Sequence, residues 1–484
     1  MKTTRLPTAA LLLLFLGVFS AATAPAAAEA KPPNIVYILA DDLGYGDVRC
    51  LNPDKGKILT PHLDKFASQG LTFTDAHSGS SVCTPTRYGL LTGRYAWRTR
   101  LRKGVLSGYD EPLISKGTLT VPALLKQHGY HSACIGKWHL GYTLEDRTKA
   151  NEQGAFLGAV TGDGPVSRGF DEFFGFHHAR KMKSLFENDR VTRMVEPVDM
   201  LPLLVKHTRS HIAARAKTGQ PFFIYLALNS PHTPIAPSKE WQGKSALGAY
   251  GDFVMQTDSA VGEVLSALDE AGVSNNTLVI FTSDNGCSGP AANTKQLERQ
   301  GHFASAGFRG YKSDIWDGGH RVPFFVRWPE NVKPSTRSAQ LVCLTDLMAT
   351  CAEILGAKLP DNAGVDSISM LPALMGNDTK PVRESIVHHS IEGRFAIRQG
   401  PWKLVLCAGS GGWSKPGDKE AKQQGLPGVQ LYQIEDDPAE SNNLQAKHPK
   451  TVSRLKSLLD HHIKQGRSTP GPKQPNDNAV RITP

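Results

Sequence analysis

NIVYILA, residues 34–40, running straight into DDLGYGD, residues 41–47, is the stretch from which the fold is read. An unbroken apolar and partly β-branched run makes a strand covered on both faces, because side chains of both parities must then avoid water. Asp41 and Asp42 end it abruptly, so two carboxylates stand at the carboxyl end of a buried strand. The same unit recurs along the chain. His131 to Ile135 leads into Gly136-Lys137-Trp138-His139, Pro221 to Leu228 into Ser230-Pro231-His232, and Leu278 to Thr282 into Ser283-Asp284-Asn285-Gly286. Helical periodicity covers Pro61 to Gln69, with Gly70 as its stop, then Val121 to Gln127, Leu204 to Ala216 and Tyr250 to Ala271; a short strand, Leu71 to Thr74, follows Gly70.

Strands alternating with helices predict an α/β sheet with helices on both faces. In such open sheets ligands sit beyond the carboxyl ends of the strands. Asp41, Asp42, Lys137, His139, His232, Asp284 and Asn285 are therefore expected to face one site.

SVCTPTRYGLLTGR, residues 81–94, adds a helix start. Pro85 suits a first helical position, and Gly93 reads as the stop. A thiol at a helix N-terminus beside Arg87 is expected to ionise more readily than a free cysteine and to face an anion.

Beyond residue 370 the pattern changes. Ile386 to His389, Phe395 to Arg398, Trp402 to Leu406 and Val429 to Ile434 read as short strands, and His448 to Gln465 as a helix. Ala408 to Gly425 reads as a Gly/Ser/Lys-rich loop. The expected organisation is a leader at 1–30, a catalytic domain at 31–375, a small C-terminal α+β domain of antiparallel strands and one helix at 376–467, and a disordered Pro-rich tail at 468–484.

The leader has Lys2 and Arg5, an apolar run from Ala9 to Val18, and Ala28-Glu29-Ala30 as a small-x-small cleavage site. It implies an exported protein, periplasmic or extracellular. No stretch has the length of a stable membrane span. Over 484 residues the net charge is +10, which favours an acidic partner. Zinc-finger, helix-turn-helix and aromatic RNA-binding signatures are absent, so nucleic acid is not expected. Seven cysteines without a CxxC pair exclude a zinc ribbon or thioredoxin-like site, and an odd number leaves at least one unpaired or modified.

Asp41, Asp42, Asp284 and Asn285 offer oxygen donors without sulfur or imidazole, a set that suits a hard cation and calcium better than magnesium. Zinc would recruit histidine or thiolate. Arg87, Lys137, His139, His232 and Lys312 surround such a cation with positive charge and titratable nitrogens, which makes sense for a negatively charged substrate group. The two histidines supply acid and base near neutral pH.

Cys83-Thr84-Pro85-Thr86-Arg87 with Leu91-Thr92-Gly93-Arg94 closely resembles the signature of the type I, formylglycine-dependent sulfatases, arylsulfatase-like members of the alkaline phosphatase superfamily. Ala40 to Asp47, Gly136 to Gly141, Gly169-Phe170-Asp171, Ser230 to Pro234, Thr282 to Gly286, Arg309 to Lys312 and Trp316 to Gly319 resemble that family in the same order. The resemblance implies a large mixed, alkaline phosphatase-like sheet. It also implies that a dedicated maturation enzyme oxidises Cys83 to formylglycine. One hydroxyl of the aldehyde hydrate, held on a single calcium ion by Asp41, Asp42, Asp284 and Asn285, would attack the sulfur of a sulfate ester and give a sulfo-enzyme intermediate. Cys83 thereby joins the metal set. Arg87 and Lys137 would stabilise the formylglycine, with Lys137 also touching sulfate. Lys312 and His232 would bind sulfate and help protonate the leaving alcohol. His139 would deprotonate the second hydroxyl and expel sulfate.

One departure stands out. Many relatives carry a serine near the sulfate shortly after Gly-Phe-Asp, where this chain has Phe176-His177-His178-Ala179-Arg180-Lys181-Met182-Lys183. This basic run could meet further anionic groups of a polymer or simply be solvated. Trp97, Arg98, Arg100 and His320 are further candidates without a role. Export and basic loops favour a sulfated carbohydrate as substrate. The alternatives are a phosphonate or phosphodiester hydrolase of the same superfamily and a non-catalytic, calcium-bound glycan-binding protein.

Overall fold

The computed structural model describes residues 1–4, 6, 31–107, 109–151, 154–377 and 379–482. Most of the expected leader, 1–30, lies outside the described residues. Ten strands make the main sheet: β1 (Asn34–Ala40), β2 (Leu71–Phe73), β3 (His131–Lys137), β4 (Glu172–Phe176), β5 (Ser184–Glu187), β6 (Arg190–Met194), β7 (Phe222–Ala227), β8 (Thr277–Ser283), β9 (Phe324–Arg327) and β10 (Thr336–Ser338). Their order is β6-β5-β4-β3-β7-β1-β8-β9-β2-β10. The middle of the sheet, β4-β3-β7-β1-β8, is parallel, while β5, β6 and β9 pair antiparallel with their neighbours, so the sheet is mixed.

The parity of β1 divides the core in two. Ile35, Tyr37 and Leu39 join one apolar cluster with Leu90 and Leu91 of α2 (Cys83–Thr92) and Leu124 and Leu125 of α3 (Val121–Gln127). Val36, Ile38 and Ala40 join the other, with Leu63 and Phe66 of α1 (Pro61–Ser68), Leu204 and Ile212 of α4 (Pro197–Ala216), and Phe253 and Val264 of α5 (Gly248–Glu270). Helices thus cover both faces, as a strand without a polar parity demands. Each fully buried Val, Leu or Ile contributes roughly 1.5–3 kcal/mol.

Asp258 of α5 accepts the backbone N–H groups of Leu63 (2.7 Å) and His62 (3.2 Å), which start α1. Burial, the largest cause, raises its carboxyl to about 7. The folded pKa exceeds the unfolded one, so the associated stability is complete below about pH 4 and is lost as pH rises through about 7. Asp258→Asn should remove that component. In paired chemical denaturation at pH 5 and pH 8, the wild type should lose about 2.5–3 kcal/mol more than the variant, since about two pH units of the 4-to-7 window fall in that interval. Parallel pH dependence of the two proteins would rule this out.

The C-terminal strands β11 (Ser385–His389), β12 (Phe395–Gln399), β13 (Trp402–Val405) and β14 (Gln430–Gln433) form a separate antiparallel sheet. Ile397 and Leu404 pack with Leu455 and Leu459 of α6 (Pro449–Gln465), and Ala396 and Val405 pack with Ile315 and Trp316. This sheet and the main one belong to the same compact unit, Pro32–Pro484. Three expectations need correction. The 408–425 loop carries a short helix, Asp418–Gln423. Helix α2 begins at Cys83, so Pro85 is its third residue and not its first. The tail from Ser468 is laid down, because its carbonyls and polar side chains meet arginines that need partners. Asp477 pairs with Arg94 at 2.9 Å, Arg98 donates to Asn476 at 3.0 Å, and the Ser468 N–H donates to Val365 O.

Candidate active site

At the carboxyl ends of β1, β3 and β8 the chain turns sharply. Asp42 has a left-handed backbone, φ 66°, and Gly136 has φ 107° with the Ala227 carbonyl oxygen 1.9 Å from where a Cβ would stand. Only glycine fits at 136. That close approach lets β3 deliver Lys137 beside Asp41.

Each carboxylate has one principal cation, and Arg87 also lies 3.5 Å from Asp41. Lys137 Nζ donates to Asp41 at 2.7 and 2.9 Å. Lys312 Nζ lies 2.6 and 2.7 Å from the oxygens of Asp42. Arg87 holds Asp284 through Nε (3.1 Å) and Nη2 (2.7 Å), and its Nη1 donates to the carbonyl of Lys137. Asn285 Nδ2 donates to Asp42 at 2.8 Å, and the Asp42 N–H to Asp284 at 3.2 Å. All are buried. Ligand atoms of Asp41, Asp42, Cys83 and His232 lie within 4.8 Å of one another.

Burial pushes the Asp41 carboxyl up, but Lys137, His232, Arg87 and Lys312 reverse this and hold it well below the usual range. Burial, then the negative charge of Asp41, raises Asp284 to about 6 despite Arg87. Three crowded carboxylates and a buried Asn285 Oδ1 with no hydrogen-bond partner are what a hard cation relieves. The residues present therefore fit calcium.

Cys83 behaves otherwise than its helix position predicts. Burial, the dominant cause, pushes its thiol up to about 11, and Lys137 and Lys312 only partly offset this. A fully enclosed helix start cannot solvate a thiolate, so this cysteine is not a low-pKa nucleophile as it stands. All seven cysteines are free.

His139 Nε2 is 2.9 Å from the carbonyl of Leu106 and donates to it, while its buried Nδ1 has no partner. Burial, then Lys137, His178 and Arg87, drives its pKa well down, so the ring is neutral with a free lone pair. His232 Nδ1 donates to Thr233 O, leaving Nε2 3.6 Å from Asp42. Burial lowers its pKa despite Asp41 and Asp42.

Every residue expected at the site is thus brought together. The unassigned candidates are not. Arg98 is locked on Asp366 at 2.7 and 2.8 Å, Trp97 lies in the C-terminal core, Arg100 bonds the carbonyl of Glu111, and His320 contacts His77 and Lys403. The basic run divides as well: His177 is buried against Tyr142 and Lys183 pairs with Glu196. His178 is the member that reaches the site, edge-on to His139 with ring centroids 4.5 Å apart. Burial, then Lys137 and His232, lowers it to about 3. It stands just past the end of β4, and the strand-end rule that found the other residues would have found it had β4 been recognised.

A carboxylate cage for a hard cation, ringed by arginine, lysines and neutral histidines at the strand ends of a mixed α/β sheet, defines a hydrolase for anionic esters. The chain belongs to the sulfatase family, whose model matches residues 33–357. It is 32% identical over 489 residues to N-acetylgalactosamine-6-O-sulfatase of Bacteroides thetaiotaomicron, covering 89% of this chain and 93% of that one. It is 31% identical over 478 residues to arylsulfatase A of Homo sapiens, with 90% and 89% covered. A solved structure from the metabolism of multiple glycosaminoglycans by Bacteroides thetaiotaomicron superposes with a TM-score of 0.79 at 30% identity, covering 89% of this chain and 99% of that one. The protein is accordingly an enzyme, a sulfuric ester hydrolase, with the sulfatase fold.

Proposed function

We propose that the protein is an exported, calcium-dependent sulfatase acting on a sulfated carbohydrate through a formylglycine matured from Cys83 by a dedicated enzyme. The observation that carries this reading is the buried set in which Asp41 and Asp42 converge with Cys83, and Asp42 is bonded to Asp284 and Asn285, with the Asn285 oxygen uncommitted. Calcium would supply Lewis-acid polarisation of the ester oxygens, and the hydrated aldehyde would supply the attacking hydroxyl. Arg87, fixed on Asp284 and on the Lys137 carbonyl, orients the start of α2 so that residue 83 cannot turn away. Lys137 and Lys312 are buried cations whose charge offsets that of a bound sulfate. Asp42 and Asp41 counter the effect of burial on His232, which with Lys312 serves the leaving alcohol. His139, with Nε2 occupied by Leu106 O, has Nδ1 free to take the proton whose removal releases sulfate.

The preference for a carbohydrate rests on the glycan sulfatases among the relatives and on Trp413. This half-exposed indole rides on a C-terminal loop tied to the residue after Lys312, where the backbone N–H of Trp413 donates to Ser313 Oγ at 3.0 Å. Trp413→Ala should raise KM for a sulfated oligosaccharide about tenfold while leaving a small aryl sulfate unchanged, since an aromatic face is worth about 1 kcal/mol or more against a ring. Equal effects on both substrates would remove Trp413 from the sugar site.

Export is supported by the leader sequence, and among the described residues no helix is long and apolar enough to cross a membrane. Initial rates on paired sulfate and phosphate esters of one alcohol test the reaction. Sulfate should be preferred by at least tenfold; a phosphate preference would overturn the assignment.

A further inference from the structure

At the opposite end of the sheet a second group of metal-ligating side chains converges. His207 and His211 stand four residues apart on α4, so both project from one helical face. Glu172 opens β4 and His131 opens β3, each in the parity that faces α4, as Phe174 and Ala133 do in the apolar cluster there. Glu172 spans the gap: Oε1 is 3.2 Å from His131 Nε2 and Oε2 is 3.3 Å from His211 Nδ1. Ligand atoms of Glu172, His207 and His211 lie within 4.8 Å of one another.

We propose that Glu172, His207 and His211 form a binding site for a borderline-soft divalent metal of the zinc class, separate from the catalytic centre. Two imidazoles at i and i+4 with one carboxylate are donors that zinc prefers and calcium does not. His211 is 93% buried, yet its Nε2 has no hydrogen-bond partner, and neither does the buried Nδ1 of His131. An unsatisfied buried nitrogen is costly, and coordination would give the one on His211 a partner. His131 would hold the outer carboxylate oxygen, the usual way a neighbouring histidine and carboxylate orient a metal ligand. The His207 ring lies parallel on Phe174, 3.8 Å away, which fixes its plane. The Glu172 side chain is 42% exposed, leaving an entry path and room for a water ligand.

The site is not a second catalytic centre. His131 lies six residue steps before Lys137 in β3, about 20 Å along the strand. Its role is to clamp α4 to the starts of β3 and β4, so its loading reads out as stability and not as turnover.

The full chain, stripped with chelator and re-equilibrated with zinc, should retain one zinc more than His207→Ala by elemental analysis after gel filtration. Its K-edge absorption should show imidazole and carboxylate ligands. Zinc should raise the wild-type Tm by several degrees, and this rise should be absent in His207→Ala and reduced in Glu172→Gln. Calcium in excess should not displace the ion. Unchanged sulfate-ester turnover in His207→Ala reports that the variant is folded. Equal zinc retention by wild type and His207→Ala would place the metal elsewhere, and no retention by wild type would remove the site; either overturns the proposal.

Discussion

Cys83→Ala is expected to abolish sulfate-ester hydrolysis, by at least about 10⁴-fold in kcat, while the protein unfolds within a few degrees of the wild type. The stability side follows from size. Cys83 is buried, but alanine removes only its sulfur, and the small cavity left costs about 1 kcal/mol. The activity side follows from the absence of a substitute. Around residue 83 stand carboxylates already paired with Lys137, Lys312 and Arg87, and histidines whose lone pairs suit proton transfer better than attack at sulfur. The state of the sulfur separates two readings of the same loss. With its thiol pushed up to about 11, an unmodified Cys83 would be thiolate in only about one molecule in 10⁴ at pH 7. Intact-peptide mass spectrometry on protein from its native host should therefore find the aldehyde. A fully active preparation carrying an unmodified thiol would sink the formylglycine reading, and retained turnover in Cys83→Ala would sink the nucleophile altogether.

Much of this site was legible because strands β1, β7 and β8 announce themselves by continuous apolar runs, and these three and β3 lead into polar or ionisable residues. The ends of buried parallel strands are marked by the change from apolar to polar residues, which places Asp41, Lys137, His232 and Asp284 together from the sequence alone. The outer strands β4, β5 and β6 were invisible for the converse reason. They are short, half-exposed in part, and rich in Phe, Glu and Arg without a clean period. His178 was lost with them. Sequence also misjudged the environment of Cys83. Helix position and the nearby Arg87 argue for a low pKa, and only the enclosure shows that desolvation outweighs both. The tail was misread because composition reports its inability to make a core, not the Arg94 and Arg98 waiting for its polar groups.

Asp42→Asn should remove both catalysis and the response to calcium, and its partner Lys312 makes the result decisive. Taken alone, the ionic core is balanced: Asp41, Asp42 and Asp284 against Lys137, Lys312 and Arg87. A divalent cation would leave it with two positive charges in excess, and a sulfate ester, a monoanion, offsets half of that excess. The cage is thus matched to metal and substrate together, and removing one carboxylate disrupts both. Asparagine tolerates the left-handed backbone at 42, where φ is 66°, so the variant is not strained out of place. It does leave Lys312, only 6% exposed, without its counter-charge, which costs on the order of 3–5 kcal/mol. Calcium at about 1,000 times its Kd should stabilise the wild type by about 4 kcal/mol and Asp42→Asn by almost nothing, read as a Tm shift. Turnover in the variant should fall at least about 10³-fold. Asp42→Asn combined with Lys312→Met should regain much of the lost stability, because the orphaned charge is gone, without regaining activity or the calcium response. A single variant that kept both turnover and the calcium-dependent Tm would dissolve the cage. A double variant that recovered stability alone would establish that these buried charges are held for chemistry and at a cost to the fold.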